Sequence, residues 1–421
     1  MDTLGLSIVG GLIAGIIAVL LIYAGPTKGL GISVFMFVVI LTIFSPFLSY
    51  LLLLVFKPMI DSLYSLRFGF LKITHLFSVY SIVVWSVALF TLRRVRHPFL
   101  TVDLAHLLLL APVPLILLLS PNIGGIDLAL RILSGWGFYY MAREMDEGQR
   151  LWTERALVLS ALFPAVMGLL ALMGYLPGGF QEGAFRRLKG PYHDATAFGF
   201  ELVPGFLVLL YRLRRRFNPL DALFVILILV LLYNTYTRGL WVSLFLAAML
   251  IAFGRGSGRG VFPKVLIGVM VVGLLVMYPD ISARFSHHGL GTDPDSFNGR
   301  MLIWGEGFRR FRELPLLHSV FGLITVGKPM GLYLHNTYLV FLIDLGIFGF
   351  VVFSLWMAAV AAFVVSYSGR YASLLRAAFV FVVITGLTSG GILYPNFQWF
   401  FLTVLGFAVG DKVGEMKGGV S

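Results

Sequence analysis

Cysteine is absent from this 421-residue chain, so disulfides, thiolate nucleophiles and cysteine metal ligands are excluded. Charge is scarce as well: Asp, Glu, Lys and Arg make up 12% of the residues against 59% hydrophobic, and mean hydropathy is +0.92. No water-soluble domain covers its surface with so little polar material. A cleavable leader is not expected, because Met1-Asp2 lacks a basic lead-in and Leu4–Ala24 has no small-residue cleavage site. Missing too are His-Glu-x-x-His, a phosphate-cradling Gly-rich loop and Gly-x-Ser-x-Gly, and with them zinc-protease, nucleotide-phosphate and serine-hydrolase signatures.

What remains is apolar runs. Leu4–Ala24, Val261–Tyr278 and Gly346–Tyr367 each approach the length needed to cross a hydrocarbon core of about 30 Å. Only helices and closed barrels satisfy the backbone in lipid, and continuous runs do not alternate as barrel strands must. The fold expected is therefore all-α: a polytopic integral membrane protein with about 12–14 transmembrane helices, a count that rests on the helical length requirement. The spans read as Leu4–Ala24, Leu30–Phe56 (once, or twice with a break at Ser45-Pro46), Leu76–Leu92, Leu100–Leu119, Ile126–Met141, Leu157–Tyr175 and Ala197–Tyr211. Then follow Leu220–Tyr236, Leu240–Phe253, Phe262–Tyr278, Tyr338–Tyr367, Ala377–Thr388 and Phe397–Gly410. Residues 1–421 read as one membrane domain, with residues 279–334 a long exoplasmic loop containing an amphipathic helix.

Short loops rich in Lys and Arg mark the cytoplasmic side. Arg93–Arg96, Arg212–Arg216, Arg255–Lys264 and Arg370–Arg376 qualify. Alternation puts Gly178–Thr196, the turn at Thr237-Arg238-Gly239 and Pro279–Leu334 on the opposite side. Part of the net charge of +12 then opposes the bias, since Arg186, Arg187, Lys189, Arg238, Arg284 and Arg300 all fall outside. Cations on that side point to an anionic ligand. Arg238 has almost no loop around it, and an arginine so close to the bilayer needs a partner or an interfacial anchor. Its planar fork matches phosphate oxygens.

The stretch Arg186–Asp194 packs three cations, His193 and Asp194 around a Gly190-Pro191 turn, just before an apolar run. Arg300 opens the amphipathic helix, and Arg300, Trp304, Phe308 and Phe311 are expected on one face. His335-Asn336 lies where the long loop re-enters an apolar run, a boundary wet on one side and dry on the other. Asn336 suits a helix N-cap. Asp344, nine residues after His335, is about 13 Å deeper and on roughly the opposite face, so it reads as a structural partner within the bundle. Asp293-Pro294-Asp295 has the look of a metal-holding Asp-x-Asp but is read as turn chemistry, and no metal or other cofactor is expected.

In this order, the Arg186/Arg187…Gly190-Pro191 loop, Thr237-Arg238-Gly239-Leu240-Trp241, Arg300…Trp304 and His335-Asn336-Thr337-Tyr338-Leu339 with Asp344-Leu345-Gly346 resemble the O-antigen ligase/polymerase superfamily of bacterial envelope glycosyltransferases. The resemblance covers roughly residues 186–349. It implies an inverting, metal-independent transfer of a glycan from undecaprenyl pyrophosphate to a sugar hydroxyl, at the outer face of the bacterial inner membrane, with the site facing the periplasm. By it, His335, Arg238 and Arg187 are catalytic, and Arg186, Lys189, His193, Asp194, Arg300, Asn336 and Tyr338 bind substrate. The partners implied are the lipid-linked donor, a growing glycan or lipid A core as acceptor, the bilayer and a chain-length regulator protein, with no nucleic acid. His335 is the expected base and His193-Asp194 its rival. Thr237 and Asp344 stand where the family carries Ser and Glu. His193-Asp194-Ala195-Thr196 replaces a Pro-Asn pair frequent in ligases, which favours polymerase over O-antigen ligase. A lipid flippase or transporter is the reading from another class.

Overall fold

A computed structural model describes residues 41–68, 71–92, 100–119, 123–181, 186–254, 267–268, 270–271, 297–322, 336–388, 392 and 394–418. Several expectations fall outside these residues. They are the span Leu4–Ala24, the loops Arg93–Arg96 and Arg255–Lys264, most of Val261–Tyr278, and His335, Arg284, Asp293 and Asp295.

The described chain is helical almost throughout. In order come α1 (Pro46–Ser62), α2 (Ile73–Leu92), α3 (Thr101–Leu108), α4 (Pro112–Leu119), α5 (Ile123–Arg143), α6 (Glu147–Ser160) and α7 (Leu162–Leu172). They are followed by α8 (Ala195–Arg215), α9 (Pro219–Asn234), α10 (Arg238–Phe253), α11 (Phe297–Arg312), α12 (Leu316–Phe321), α13 (Thr337–Ser366), α14 (Ala372–Thr388) and α15 (Pro395–Gly418). The only strands among the described residues are two-residue antiparallel pairs: β1 (Arg67–Phe68) with β2 (Leu71–Lys72), and β3 (Phe180–Gln181) with β4 (Arg187–Leu188). Among the described residues four stretches are long and apolar enough to cross a membrane: Thr101–Leu118, Glu147–Leu172, Ala195–Arg215 and Thr337–Ser366. The chain is an all-α polytopic membrane protein, as its composition required.

Among the described residues, span positions hold and span ends move. Several helices outrun the apolar runs that announced them, because the extra turns carry polar residues. α1 continues to Ser62, α8 to Arg215 and α15 to Gly418. The run Leu100–Leu119 is divided at a turn before Pro112, whose ring cannot continue the helix hydrogen bonding.

α8 lies at the centre. It packs against α6, α9, α10, α14 and α15, and 89% of its apolar window is buried, against 33–44% in the other three long spans. Its polar Glu201 and Arg214 are buried along with its apolar residues, so neighbouring helices enclose it on every side. α9 shows the opposite pattern: Leu223, Ile226 and Val230 form an exposed stripe where lipid would lie. Aromatic stacking fills the second centre, where α5 meets α15, with Phe138 on Trp399 at 4.2 Å between centroids.

α13 is bent at Gly346, which adopts φ 67°. A Cβ there would meet the Val320 carbonyl oxygen at 2.3 Å, so glycine lets the end of α12 dock on the bend. The helix α11 packs along α13 through Ile303, Trp304 and Phe311. Phe308, expected on that face, is exposed instead. The helix turns Phe308 about 40° beyond Trp304 and away from the bundle, given 100° per residue.

Candidate functional site

Arg187 is positioned by β4, whose register sets it opposite Gln181. Its guanidinium donates from Nε to the Thr235 carbonyl at 3.0 Å and from Nη2 to the Thr237 hydroxyl at 3.0 Å. Thr196 Oγ1, in the first turn of α8, lies 3.5 Å from the same Nη2. Thr235–Thr237 is the reversal between α9 and α10, and Tyr236 within it has a positive φ of 50°, uncommon for a bulky residue. The Thr237 side chain makes no capping bond to α10, so its hydroxyl is directed to Arg187 and to the Thr235 carbonyl.

Arg238 is the first residue of α10 and is half-buried. Its neighbour Gly239 abuts the end of α14: a Cβ there would meet Thr388 Oγ1 at 2.5 Å. Glycine is what permits the approach. The Thr388 carbonyl in turn accepts from Arg300 Nη1 at 2.7 Å, across 88 residues of sequence. Through Thr237 and Thr388, Arg187, Arg238 and Arg300 are gathered around the start of α10. The positive end of that helix dipole adds to their potential.

Tyr338 joins from α13. Its ring faces Gly386 on α14, where a Cβ would lie 3.3 Å from the ring, and its hydroxyl reaches the Val383 carbonyl at 3.4 Å. Asn336 caps α13, accepting the Leu339 N–H at 3.1 Å as its sequence position suggested. Asp344 is fully buried in α13.

Arg186 extends away from this group, its guanidinium 4.0 Å from the centre of the Phe180 ring. Lys189 contributes its backbone N–H, which closes the hairpin on the Gly179 carbonyl at 3.0 Å. His193 Nε2 lies 2.6 Å from Asp194 Oδ2, and the imidazole sits edge-on to Tyr64. Asp194 Oδ1 accepts the Ala197 N–H at 2.7 Å, capping α8. Burial raises the Asp194 carboxyl most strongly. The hydrogen bond and charge of His193, the Ala197 N–H and the Arg187 charge outweigh it, and the group is held below the usual carboxylate range.

That arrangement has a measurable consequence. Asp194→Ala is expected to destabilise the protein by about 1 kcal/mol at neutral pH, the ordinary value of an N-cap. A depressed carboxyl contributes stability above its unfolded value of about 3.9 and loses it as pH falls further. The gap between wild type and variant should therefore close below about pH 3.9, read from thermal unfolding in detergent at a series of pH values.

Apolar runs concealed a second class of polar residues. Lys57 is 2% exposed, ion-paired with Asp61 one turn on, and 5.2 Å from the Trp399 ring centre. Glu201 and Asn396, both buried, approach the same place from α8 and α15. His75, Asp127 and Arg131 form another cluster between α2 and α5, with His75 Nε2 3.2 Å and Arg131 Nη2 2.7 Å from the Asp127 carboxylate. Helical i,i+4 spacing of Lys57 with Asp61, and of Asp127 with Arg131, was the available signal.

Residues 223–323 match a family model described as O-antigen ligase. The match begins in α9, includes Thr237-Arg238-Gly239 and Arg300, and ends just after α12. No curated protein matches the chain.

Proposed function

We propose, from the match that sets residues 223–323 in the O-antigen ligase/polymerase superfamily, that this membrane protein transfers a glycan from a polyprenyl pyrophosphate to a sugar hydroxyl. The observation that supports it best is the grouping of Arg187, Arg238 and Arg300 at one helix start. A pyrophosphate leaving group carries charge that grows as its bond to the anomeric carbon breaks. Preorganised guanidinium groups stabilise that charge more in the transition state than before it. Three arginines supply what a divalent cation supplies elsewhere, so transfer is expected to proceed in EDTA.

The acceptor hydroxyl attacks the anomeric carbon, the glycosidic bond to pyrophosphate breaks with its electron pair going to the leaving oxygen, and the hydroxyl proton passes to a base. One displacement inverts the centre. His335 is assigned as that base, since an unperturbed imidazole exchanges its proton near neutral pH. Asn336 and Tyr338, next in sequence, orient the acceptor. His193-Asp194 is the second assignment, favoured by the 2.6 Å contact that fixes the imidazole and by its place beside Arg187. Growing polysaccharide is the preferred acceptor, lipid A core the alternative, and the bacterial inner membrane with a periplasm-facing site the location. A chain-length regulator is a proposed partner.

The test is transfer by purified protein in defined lipid. His335→Ala should lose about 10²–10⁴-fold in turnover, the range of a general base, while His193→Ala retains most of it. The reverse pattern moves the base to His193. Activity lost in EDTA and restored by a divalent cation overturns the metal-free mechanism. Surface-glycan gels of a deletion strain separate the acceptors: single capped repeats mean a polymerase, uncapped core a ligase. A transporter is the second reading, and the buried charges Lys57 and Glu201, with the half-buried Asp61 beside them, favour it, since ionisable groups within spans mark transport paths. Donor that changes leaflet without being consumed would select it.

A further inference from the structure

Two carboxyls and one ammonium come together where α1, α8 and α15 meet, and the glycosyl-transfer reading uses none of them. Lys57 donates to both carboxylate oxygens of Asp61, one turn on along α1, and its ammonium faces the Trp399 ring. Glu201 enters from α8 and is 4% exposed. It stands six residues after Ala195, hence about 9 Å along the helix from its first residue. The polar side chains beside its carboxyl are Asp61 and Asn396. Glu201 Oε2 and Asn396 Nδ2 are buried and have no hydrogen-bond partner among the described residues.

The charges here do not balance if both carboxyls are ionised. Among the described residues Lys57 is the cation at this junction, and Asp61 already holds it through both oxygens. Glu154 of α6 and His75 of α2, on helices packed against α1, face other partners, Tyr371 and Asp127. A second carboxylate against Asp61 would leave a net negative charge inside the bundle, which is costly. Two carboxyls that share one site do not both ionise; one keeps a proton and donates it to the other. A metal cation in place of that proton would compete with the ammonium for the same Asp61 oxygens. Water joining Glu201 Oε2 to Asn396 would leave the charge count unchanged.

We propose that Asp61 and Glu201 form a proton-binding site, in which the Glu201 carboxyl carries a proton and donates it to Asp61, and Lys57 balances the one remaining charge. The loaded site has no net charge. Removing the proton sets two carboxylates against each other between α1 and α8. The same end of α1 seats the segment that bears His193-Asp194: the Tyr192 hydroxyl donates to the Pro58 carbonyl at 3.0 Å, and the Tyr64 ring, just past α1, lies 5.5 Å from the His193 ring. The bound proton therefore holds α1 against that segment. The assignment concerns these groups alone and stands whether the chain transfers glycan or moves it.

The experiment is infrared difference spectroscopy of the full chain in detergent at neutral pH, with unfolding midpoints measured on the same samples. The spectrum of wild type minus Glu201→Gln should show the C=O band of a protonated carboxyl. Glutamine keeps a neutral donor to Asp61, so Glu201→Gln should unfold at the wild-type midpoint. Lys57→Met strands the Asp61 charge and should unfold at a clearly lower temperature. In Asp61→Asn the ammonium loses its partner and Glu201 ionises to replace it, so the band should vanish there too. Absence of the band from wild type overturns the proposal. So does a Glu201→Gln midpoint lowered as far as that of Lys57→Met, which would mean an ionised Glu201 held by the ammonium. A band that survives in Asp61→Asn also overturns it, since the proton would then be held without Asp61.

Discussion

Arg238→Ala is expected to lower glycan transfer by about 10²–10³-fold, the cost of removing one preorganised charge stabiliser from an active site. Arg238 opens α10 beside Gly239, and the contact of Gly239 with Thr388 sets where that helix begins. The side chain is half-buried, so its field is less screened than that of a surface arginine. Arg238→Lys keeps the charge and loses the fork, and should fall between wild type and alanine. Arg187→Ala should resemble Arg238→Ala, because Arg187 is bonded to the same turn through the Thr235 carbonyl and Thr237 hydroxyl. Two arginines acting on one leaving group are not additive, so the double variant should lose less than the product of the single losses. Turnover of a lipid-linked donor by purified variants reads these effects, with thermal unfolding to confirm that each is folded. An Arg238→Ala protein that is folded and fully active would remove the arginine group from the reaction.

The largest stability effect is expected at Arg143→Met. Arg143 and Asp103 are buried together: their side chains are 1% and 0% exposed, and Nε lies 3.0 Å from Oδ1. Tyr139 donates to the same Oδ1 at 2.6 Å, and Arg143 also pairs with Glu144 at 2.6 Å. Removing one partner of a buried pair strands the other charge, at a cost of about 3–5 kcal/mol. Replacing both, as in Asp103→Leu/Arg143→Met, removes both charges of the 3.0 Å pair and should recover much of that loss. Recovery will be incomplete, since Asp103 Oδ2 also accepts the Leu100 N–H at 2.7 Å at the start of α3. Unfolding midpoints in detergent measure both variants. A single variant within about 1 kcal/mol of wild type would mean that water reaches the pair and that the site is less dry than its exposure implies.

Local chemistry was legible in the sequence wherever one residue type had one physical use. Composition alone set the membrane class, because no arrangement of 59% hydrophobic residues makes a soluble surface. Asn336 before an apolar run is the N-cap of α13, and Gly190-Pro191 is a turn, with Gly190 at φ 56°. The Thr-Arg-Gly reversal between two apolar runs is the joint of α9 and α10. Each of these depends on bonds within a few residues. Helix ends were misplaced where polar residues continue a helix into buried company, as Lys57 and Asp61 do on α1. Hydropathy sees those side chains as boundaries, whereas their pairing removes the penalty that would make them so.

The candidate site was legible only as separate cations. Nothing around Thr388 marks it, yet its carbonyl holds Arg300 and its side chain limits the residue at 239 to glycine. Arg187 reaches Thr235 and Thr237 across 48 and 50 residues. Such bonds depend on how α8, α10 and α14 pack, and packing follows from shape summed over many apolar side chains that are individually interchangeable. The sequence by itself determined the solvent this protein lives in, its helical character, its basic loops and its cap residues, because those are set by composition and neighbouring bonds. Which cations meet, which charges are buried in pairs and which carboxyls lie side by side were decided by tertiary structure, because only packing brings distant helix faces within hydrogen-bonding reach.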